Sequence, residues 1–392
     1  MTKFIGPQYS IGIGKESTRG TPIAASYWLP WSSLQVDDKI KAAKDETNIG
    51  VIESGVGQEV AIFTSECQLE GNIDDLGFGL ILMSLMGTDT PGSVESGVKD
   101  HVFTVAQTAQ HPALSMSVYG PNESTGLVYP LGMLDSLDLT FELDKYATYK
   151  ATYKANKSAS QANTVSYVAA NKFRPQDGSF GLAPSLAGAK GTLAATGTAA
   201  TTTAVTALSI STTLLQVGMT VTGTNVPVGA TVAAIVGANA FTLSAATTGN
   251  MSSITFGAAT VGIKKLMLSF KKNTEDDEVL GNTSPIDRLN KAFMCSGSFE
   301  LYYTDRTMID TYMIGDIYKA IHAAFVNSNV LIGAASHPTF TFNAARVKLV
   351  EVARKLSDKD ITMQTVKFEC FYSQSDTEMI DLVLRNTVSS GY

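Results

Sequence analysis

The sequence predicts a mainly β protein with some α-helix, an α+β fold of two tandem β-sandwich or barrel domains, each with a flanking helix, plus one inserted all-β domain. Three observations support this prediction. Polar and apolar residues alternate in many segments, a long central block has no charged residues, and similar segments occur on both sides of that block. Apolar residues make up 44% of the 392 residues, which is enough to bury substantial cores.

The first distinctive segment is YSIGIGKESTRGTPIAASYWLPW at residues 9–31. Its glycines and Lys15 suggest a phosphate-binding loop, but Glu16 stands where a P-loop requires Ser or Thr. No apolar strand precedes the segment and no helical period follows it. The pattern therefore predicts an extended arm with a Gly-Thr-Pro turn rather than a nucleotide site.

Composition restricts the class of protein. Charged residues make up 17% of the chain and the net charge is −7, which disfavours binding to nucleic acid backbones. Cys67, Cys295 and Cys370 lie far apart, as expected of unpaired thiols in a reducing compartment. The first residues show no secretory signal, and the longest apolar run, residues 76–87, is too short to span a bilayer. We expect a soluble chain made in a cytoplasm, with no membrane association.

The central block, residues 191–263, contains no Asp, Glu, Lys or Arg. Within it, AVTALSIS, GMTVTG, TVAAIV, AFTLS and SSITFG predict short strands separated by turn residues. Several short strands over this length predict a small immunoglobulin-like β-sandwich, with linkers on both sides. We assign residues 189–260 to an inserted, surface-displayed β domain; a disordered low-complexity tract is the alternative.

The remaining chain predicts a tandem duplication, with a first domain at residues 1–188 and a second at residues 261–392. HPALSMSV at 111–118 resembles HPTFTFNA at 337–344, and AIFTSECQLE at 61–70 resembles AFMCSGSFEL at 292–301. Helices are predicted from Leu76 to Met86, closed by Gly87, and from about Asp305 to Asn327. Two unrelated α+β domains are the alternative.

Each predicted domain also contains an alternating strand and a long polar loop. The strands are 137–144 and 366–372, and the loops are 37–57 and 271–290. Loops of this length in compact domains are usually functional. We therefore expect the loops to take part in contacts between molecules.

No arrangement of residues predicts catalysis. The histidines, His101, His111, His322 and His337, are scattered without metal-ligand spacing, and we read His111 and His337 as equivalent structural residues at two strand starts. The sequence has no EF-hand pattern and no Gly-x-Ser-x-Gly motif. We predict that the protein is not an enzyme and uses no cofactor or metal.

Several segments together resemble the major tail tube proteins of long-tailed bacteriophages. They are IGIGKESTRGTP followed by WSSL, CQLEGNIDDLGFGLILMSLMG, DHVFTVAQTAQHPALSMSVYG, LDSLDLTFEL and IDLVLRNTVSSGY, and the likeness covers both halves of the chain. The uncharged block is similar to immunoglobulin-like modules that decorate such tubes. The resemblance implies tail-tube-like domains that pack side by side, so that their sheets form one continuous barrel around a lumen.

The function implied is structural. Such proteins self-assemble into stacked rings that form a hollow tube, which conducts genomic DNA into the host during ejection. Two domains per chain imply a homotrimer ring with pseudo-six-fold symmetry, and a homohexamer is the alternative. The implied partners are the tape-measure protein and the tail terminator and baseplate proteins. The implied location is the virion tail, after synthesis in the host cytoplasm, and a cell-surface or fibre-type adhesin subunit is the alternative function.

Candidate residues follow from this resemblance. The N-terminal segment is read as an arm crossing to a neighbouring subunit, with Trp28 and Trp31 as anchors; an intramolecular edge strand is the alternative. Further subunit-interface candidates in the long loops are Asp45, Glu275 and Asp277. Candidates for an acidic lumen lining are Asp138, Thr140, Glu142 and Asp144, where repulsion would let DNA pass without specific binding; an ordinary solvated face is the alternative.

Overall fold

The computed structural model describes residues 3–53, 55–121, 125–356 and 361–392, and the described chain is mainly β, as predicted. The first part of the chain contains one α-helix, Phe78–Met86 (α1), among ten strands. The strands are Ser10–Lys15 (β1), Tyr27–Leu29 (β2), Ser33–Asp45 (β3), Gly57–Asn72 (β4), Thr90–Glu95 (β5), Val98–Thr104 (β6), Leu114–Tyr119 (β7), Gly126–Glu142 (β8), Thr148–Ala155 (β9) and Ala159–Gln161 (β10).

The second part begins with one strand, Gly178–Ala183 (β11), and a short helix, Leu186–Ala189 (α2). The uncharged block follows with Leu193–Ala200 (β12), Ala204–Val205 (β13), Met219–Gly223 (β14), Val232–Gly237 (β15), Ala240–Leu243 (β16) and Asn250–Thr260 (β17). The remaining strands are Lys265–Lys271 (β18), Glu275–Asp277 (β19), Asp287–Leu289 (β20), Met294–Tyr302 (β21), Lys319–Val326 (β22), Thr339–Lys355 (β23), Met363–Phe371 (β24) and Ile380–Asn386 (β25). Short 3-10 helices lie at Gly6–Gln8, Pro175–Asp177 and Thr212–Leu214, and a π-helix lies at Met308–Ile314.

One antiparallel sheet runs through both parts of the chain. Its strand order is β3-β4-β9-β8-β18-β21-β24-β23. The long strands β8 and β23 also extend into a second layer: the first half of β8 pairs with β7 and β10, and the first half of β23 pairs with β22 and β25. Strand β1 adds to β7, β11 adds to β22, and β6 adds to β25. Among the described residues the sheet stays open rather than closing into a barrel.

The core lies between the layers, where one face of each strand is apolar. Helix α1 lies inside this core, and all of its residues are buried. A helix that is apolar on every side is suited to such a position. The Asp74 carboxylate accepts hydrogen bonds from the Leu76 amide at 2.8 Å, in the turn before the helix, and from the amide of Phe78, the first helical residue, at 3.3 Å. Gly87 ends the helix with a φ of 91°, as predicted.

The uncharged block forms a small module of two three-stranded sheets with its own apolar core. The sheets are β12-β17-β14 and β13-β16-β15. Four of the predicted strand segments coincide with β14, β15, β16 and β17. The predicted linkers are wrong, because β11 and α2 occupy the first flank and β17 continues to Thr260, where it pairs with β11.

Two other predictions about elements are wrong. The helix expected from Asp305 to Asn327 is a π-helix at Met308–Ile314 followed by strand β22, since pairing with β11 and β23 determines the conformation of the second half. The polar loops are largely β-hairpins. Residues 37–45 continue β3, and residues 275–277 pair with 287–289; Ser54 of the first loop lies outside the described residues.

Candidate assembly surfaces

The long sheet contains the same four-stranded unit twice. The first repeat has the order β3-β4-β9-β8 and the second has β18-β21-β24-β23. The last two strands of each repeat share a bulge at the same place, at Asp135 in β8 and at Val350 in β23; the first repeat has a further bulge between β3 and β4. A shared strand order and a shared bulge support the predicted duplication.

Strand pairing also identifies the equivalent elements in the upper layer. Strands β7 and β22 are equivalent because each pairs with the first half of the long strand of its repeat. Strand β1 then corresponds to β11, so that Gly12 corresponds to Gly181. This correspondence places β11 with the second repeat, ahead of the predicted limit at residue 188, and the uncharged module follows this strand; the limits at residues 188 and 260 remain predictions.

Two sequence matches are therefore wrong. His111 precedes β7, whereas His337 precedes β23, the counterpart of β8. The strand at 137–144 belongs to β8 and the one at 366–372 to β24, the counterpart of β9. Alternation is common to every half-buried strand, so it identified strands without identifying counterparts. Strands β4 and β21 are equivalent as predicted, but the structure matches Glu70 with Glu300, one residue away from the register of the two aligned segments.

The two repeats join edge to edge. In the order of the long sheet, β8 is the last strand of the first repeat and β18 is the first strand of the second. These two strands pair from Ser136↔Lys271 to Glu142↔Lys265. The apolar side chains at this junction, including Leu139 and Leu268, are buried. The last strand of the first repeat thus accepts the first sheet strand of the second repeat.

Both ends of the row have open edges. Within the described residues, β3 pairs only with β4, and residues 348–355 of β23 pair only with β24. Leu34, Val36 and Val352, on the core side of these edges, are only partly buried. Open edges of this length are templates for pairing with another chain.

The sheet face opposite the core is polar and carries charges of both signs. Asp138, Thr140 and Glu142 lie on it, whereas Asp144 lies beyond the end of β8, with a φ of 68°. Glu142 contacts Lys145 at 2.9 Å and Lys265 at 3.5 Å, and these lysines lower the pKa of its carboxyl group. Other pairs across this face are Lys150–Glu70 and Lys367–Glu351, both at 2.8 Å, and Lys39–Glu66.

Comparison with known families matches residues 6–370 to the phage tail tube protein family. The chain belongs to this family. A separate comparison with curated proteins finds no match. As a tail tube protein, the chain is a structural protein of the phage tail that assembles with copies of itself and other tail proteins into a tube, and its place is the tail of the virion.

The N-terminal segment of this tail tube protein packs on its own chain, and its contact with another subunit remains a prediction. Strand β1 pairs with β7 and β2 of its own chain, which is the alternative considered from the sequence. Trp28 is buried, and Trp31 donates its Nε1–H to the Tyr9 carbonyl at 3.0 Å. The glycines allow neighbouring segments to pack closely against the β1 backbone. A Cβ at Gly12, for example, would lie 2.5 Å from the Ala25 Cβ.

The loop candidates lie in two hairpins that are joined by an ion pair between Lys41 and Glu278. Asp45 ends β3 and accepts hydrogen bonds from the Thr47 hydroxyl at 2.6 Å and from the Thr47 amide at 3.0 Å. The hydroxyl, and to a lesser extent the amide, lower the pKa of its carboxyl group. Glu275 and Asp277 lie in β19, and Glu275 pairs with Lys291 at 2.5 Å. Their contact with other subunits remains a prediction.

Sequence reasoning missed two arginines that fix this hairpin to the first repeat. Arg288 is fully buried and donates to Asp276 at 2.8 Å, to the Asn156 side chain at 2.8 Å and to the Ala155 carbonyl at 2.9 Å. Arg19 donates through Nε to Asp287 at 2.9 Å. Arg288, which follows the acidic residues 275–278 in the same predicted loop, was the available signal, but that loop was assigned only to contacts between molecules.

The described part of the chain contains no group of His, Cys, Asp and Glu that could hold a metal ion. None of its helices has both the length and the apolar character needed to cross a bilayer. His111 faces the Leu85 and Ala106 carbonyls, and burial beside Lys272 and Arg19 lowers its pKa to about 4. It therefore occupies a structural position under α1.

Proposed function

We propose that three copies of this tail tube protein close into a ring, and that stacked rings form a hollow tube that conducts genomic DNA during ejection. The β8–β18 junction carries this proposal, because it is a repeat-to-repeat contact already made within one chain. The open edges of β3 and β23 are the outer ends of the same row. Joining them between chains repeats the junction until the ring closes.

The width of the barrel favours three chains. Strands lie about 4.8 Å apart and tilt by roughly 40° in barrels, so three chains with eight strands each give a barrel about 45–50 Å across between backbones. Side chains narrow this opening but leave it wider than a DNA duplex. One chain alone would close into a barrel filled by its own side chains. Six chains, the alternative, would give a diameter of about 95 Å, far more than DNA requires.

The polar face of the long sheet is the proposed lumen wall, because the core and the upper layer cover the other face. DNA would pass without specific binding if few lysines are free to contact phosphates. The carboxylates of Asp138, Glu142 and Glu70 supply negative charge, and the ion pairs with Lys150 and Lys265 neutralise lysines on the same wall. The carboxylates of the wall would thus reduce DNA binding partly by pairing with the lysines beside them.

Ring stacking is assigned to the β3–β4 hairpin. Its tip exposes Ile49, Val51 and Ile52, which is an unusual concentration of apolar side chains for a hairpin in water. Asp45 at the base of this tip and the β19–β20 hairpin with Glu275 and Asp277 are the neighbouring polar candidates. The tape-measure protein inside the tube and the terminator and baseplate proteins at its ends are the proposed further partners.

The test is the state of the purified protein at high concentration. Mass measurement and electron microscopy should show rings of three chains, stacked into tubes with a continuous central channel. Rings of six chains would overturn the stoichiometry. Monomers that remain monomeric at every concentration tested would overturn the proposed function.

A further inference from the structure

The junction within the chain also sets the register of the contact between chains. Equivalent positions can be traced across the two repeats from the bulges, Asp135 and Val350. The first repeat contains the row Asp138–Lys150–Glu70–Ser33, and the second contains the row Ala353–Thr365–Glu300–Lys265. Thr140 therefore corresponds to Lys355, because each lies five residues beyond its bulge, and Met267 corresponds to Gln35.

We propose that β23 of one chain pairs antiparallel with β3 of the next in the register of the β8–β18 junction, an inference that rests on the proposed ring. Because Met267 pairs with Thr140, Gln35 lies opposite Lys355 of the neighbouring copy. Continuing the ladder places Leu34 opposite Leu356, Asp37 opposite Ala353 and Lys39 opposite Glu351.

This register buries the apolar side chains that the edges expose. Leu34 and Val36 take the places of Leu266 and Leu268, which are buried at the internal junction. Leu356 takes the place of Phe141, and it is 76% exposed in the single chain. A shift by one residue would turn these side chains to the polar face, so the buried pattern excludes odd shifts.

Charge complementarity supports the same register. Lys39 meets Glu351 directly, and Asp37 lies diagonally across from Lys355, within reach of its long side chain. The intrachain partners, Glu66 beside Lys39 and Lys367 beside Glu351, extend the contact into a row of alternating charges. A two-residue shift in one direction would instead place Asp37 opposite Glu351, with like charges facing each other.

The test is disulfide formation in assembled rings. Gln35→Cys with Lys355→Cys should link neighbouring chains under mild oxidation, giving covalent dimers and trimers on a non-reducing gel. Asp37→Cys with Lys355→Cys, which reports the other two-residue shift, should link at least tenfold more slowly, because diagonal positions lie beyond disulfide reach. The native cysteines are buried, which limits background links.

The chain provides a matched control in Thr140→Cys with Met267→Cys, the equivalent pair inside one molecule. On oxidation this variant should lose the two introduced thiols, because they form a disulfide within one chain, and it should form no larger species. Rings that link mainly through the Asp37 variant, or that link through neither variant while the internal control does, would overturn the register and leave the tube function standing. Failure of the unmodified chain to form rings would overturn both.

Discussion

Lys272 is a buried lysine whose Nζ donates to the Ser84 carbonyl at 2.7 Å. Burial and the nearby Arg19 lower its pKa to about 7, and Asp135 only partly opposes them. Its ammonium group is therefore disfavoured in the folded chain. Between pH 7 and the ordinary lysine pKa, the unfolded chain binds more protons than the folded chain, so stability rises with pH in this window.

We predict that the free energy of unfolding rises by about 1.4 kcal/mol per pH unit between pH 7 and 10 relative to Lys272→Met, which lacks this titration. Urea unfolding of both proteins at several pH values measures the difference. Lys271→Met, at the exposed last residue of β18 and next to Lys272, controls for loss of a lysine. Parallel pH profiles for the wild type and Lys272→Met would contradict the prediction.

Gly12 lies where β1 passes close beneath residues 25–28. An added Cβ would lie 2.5 Å from the Ala25 Cβ and 2.9 Å from the Trp28 ring. Gly12→Ala should therefore lower the free energy of unfolding by about 1–3 kcal/mol, as overpacking does. Gly57→Ala is the control, since an added Cβ there meets nothing within 4 Å. Equal stability of the two variants by urea denaturation would refute this explanation.

At the scale of elements, alternation in the sequence predicted strands well but predicted their partners poorly. Residues 319–326 have apolar side chains at helical spacing, and the sheet position between β11 and β23 made them a strand. The same limit applies to the candidate surfaces. Alternation placed Asp138 and Glu142 on a polar face, but only the pairing of β8 with β9 and β18 brings lysines beside them.

The β3–β4 hairpin tip offers a test of ring stacking. Replacing Ile49, Val51 and Ile52 by serine removes the exposed apolar patch and leaves the ring-closing edges unchanged. We expect rings to form normally and tubes to be short or absent, as measured by sedimentation velocity and electron microscopy. Serine at Val217, Val228 and Val236, exposed valines of the uncharged module, is the matched control. Tubes of normal length from the hairpin variant would exclude this role.

At the scale of the assembled tube, the ion pairs on the polar face are expected to limit the binding of DNA to the wall. The double variant Glu70→Gln with Glu142→Gln removes the carboxylates that pair with Lys150 and Lys265, so that both lysines are free in every chain of the tube. Freed lysines contact phosphates, so tubes of this variant should retain duplex DNA at 50 mM salt and release it near 200 mM. Co-sedimentation measures the retention. Glu59→Gln, on the exposed hairpin, should behave like the wild type, and equal DNA retention by all three proteins would argue against the proposed lumen wall.

The uncharged module follows β11, the first strand of the second repeat, while the corresponding strand β1 leads into the first repeat without one. In a ring of three chains, decorated and bare units would alternate around the circumference. The channel would therefore present near-six-fold regularity to DNA, while the outside presents three protrusions with gaps between them. Fusing two units in one chain thus gives the exterior a different symmetry from the interior without any change to the wall.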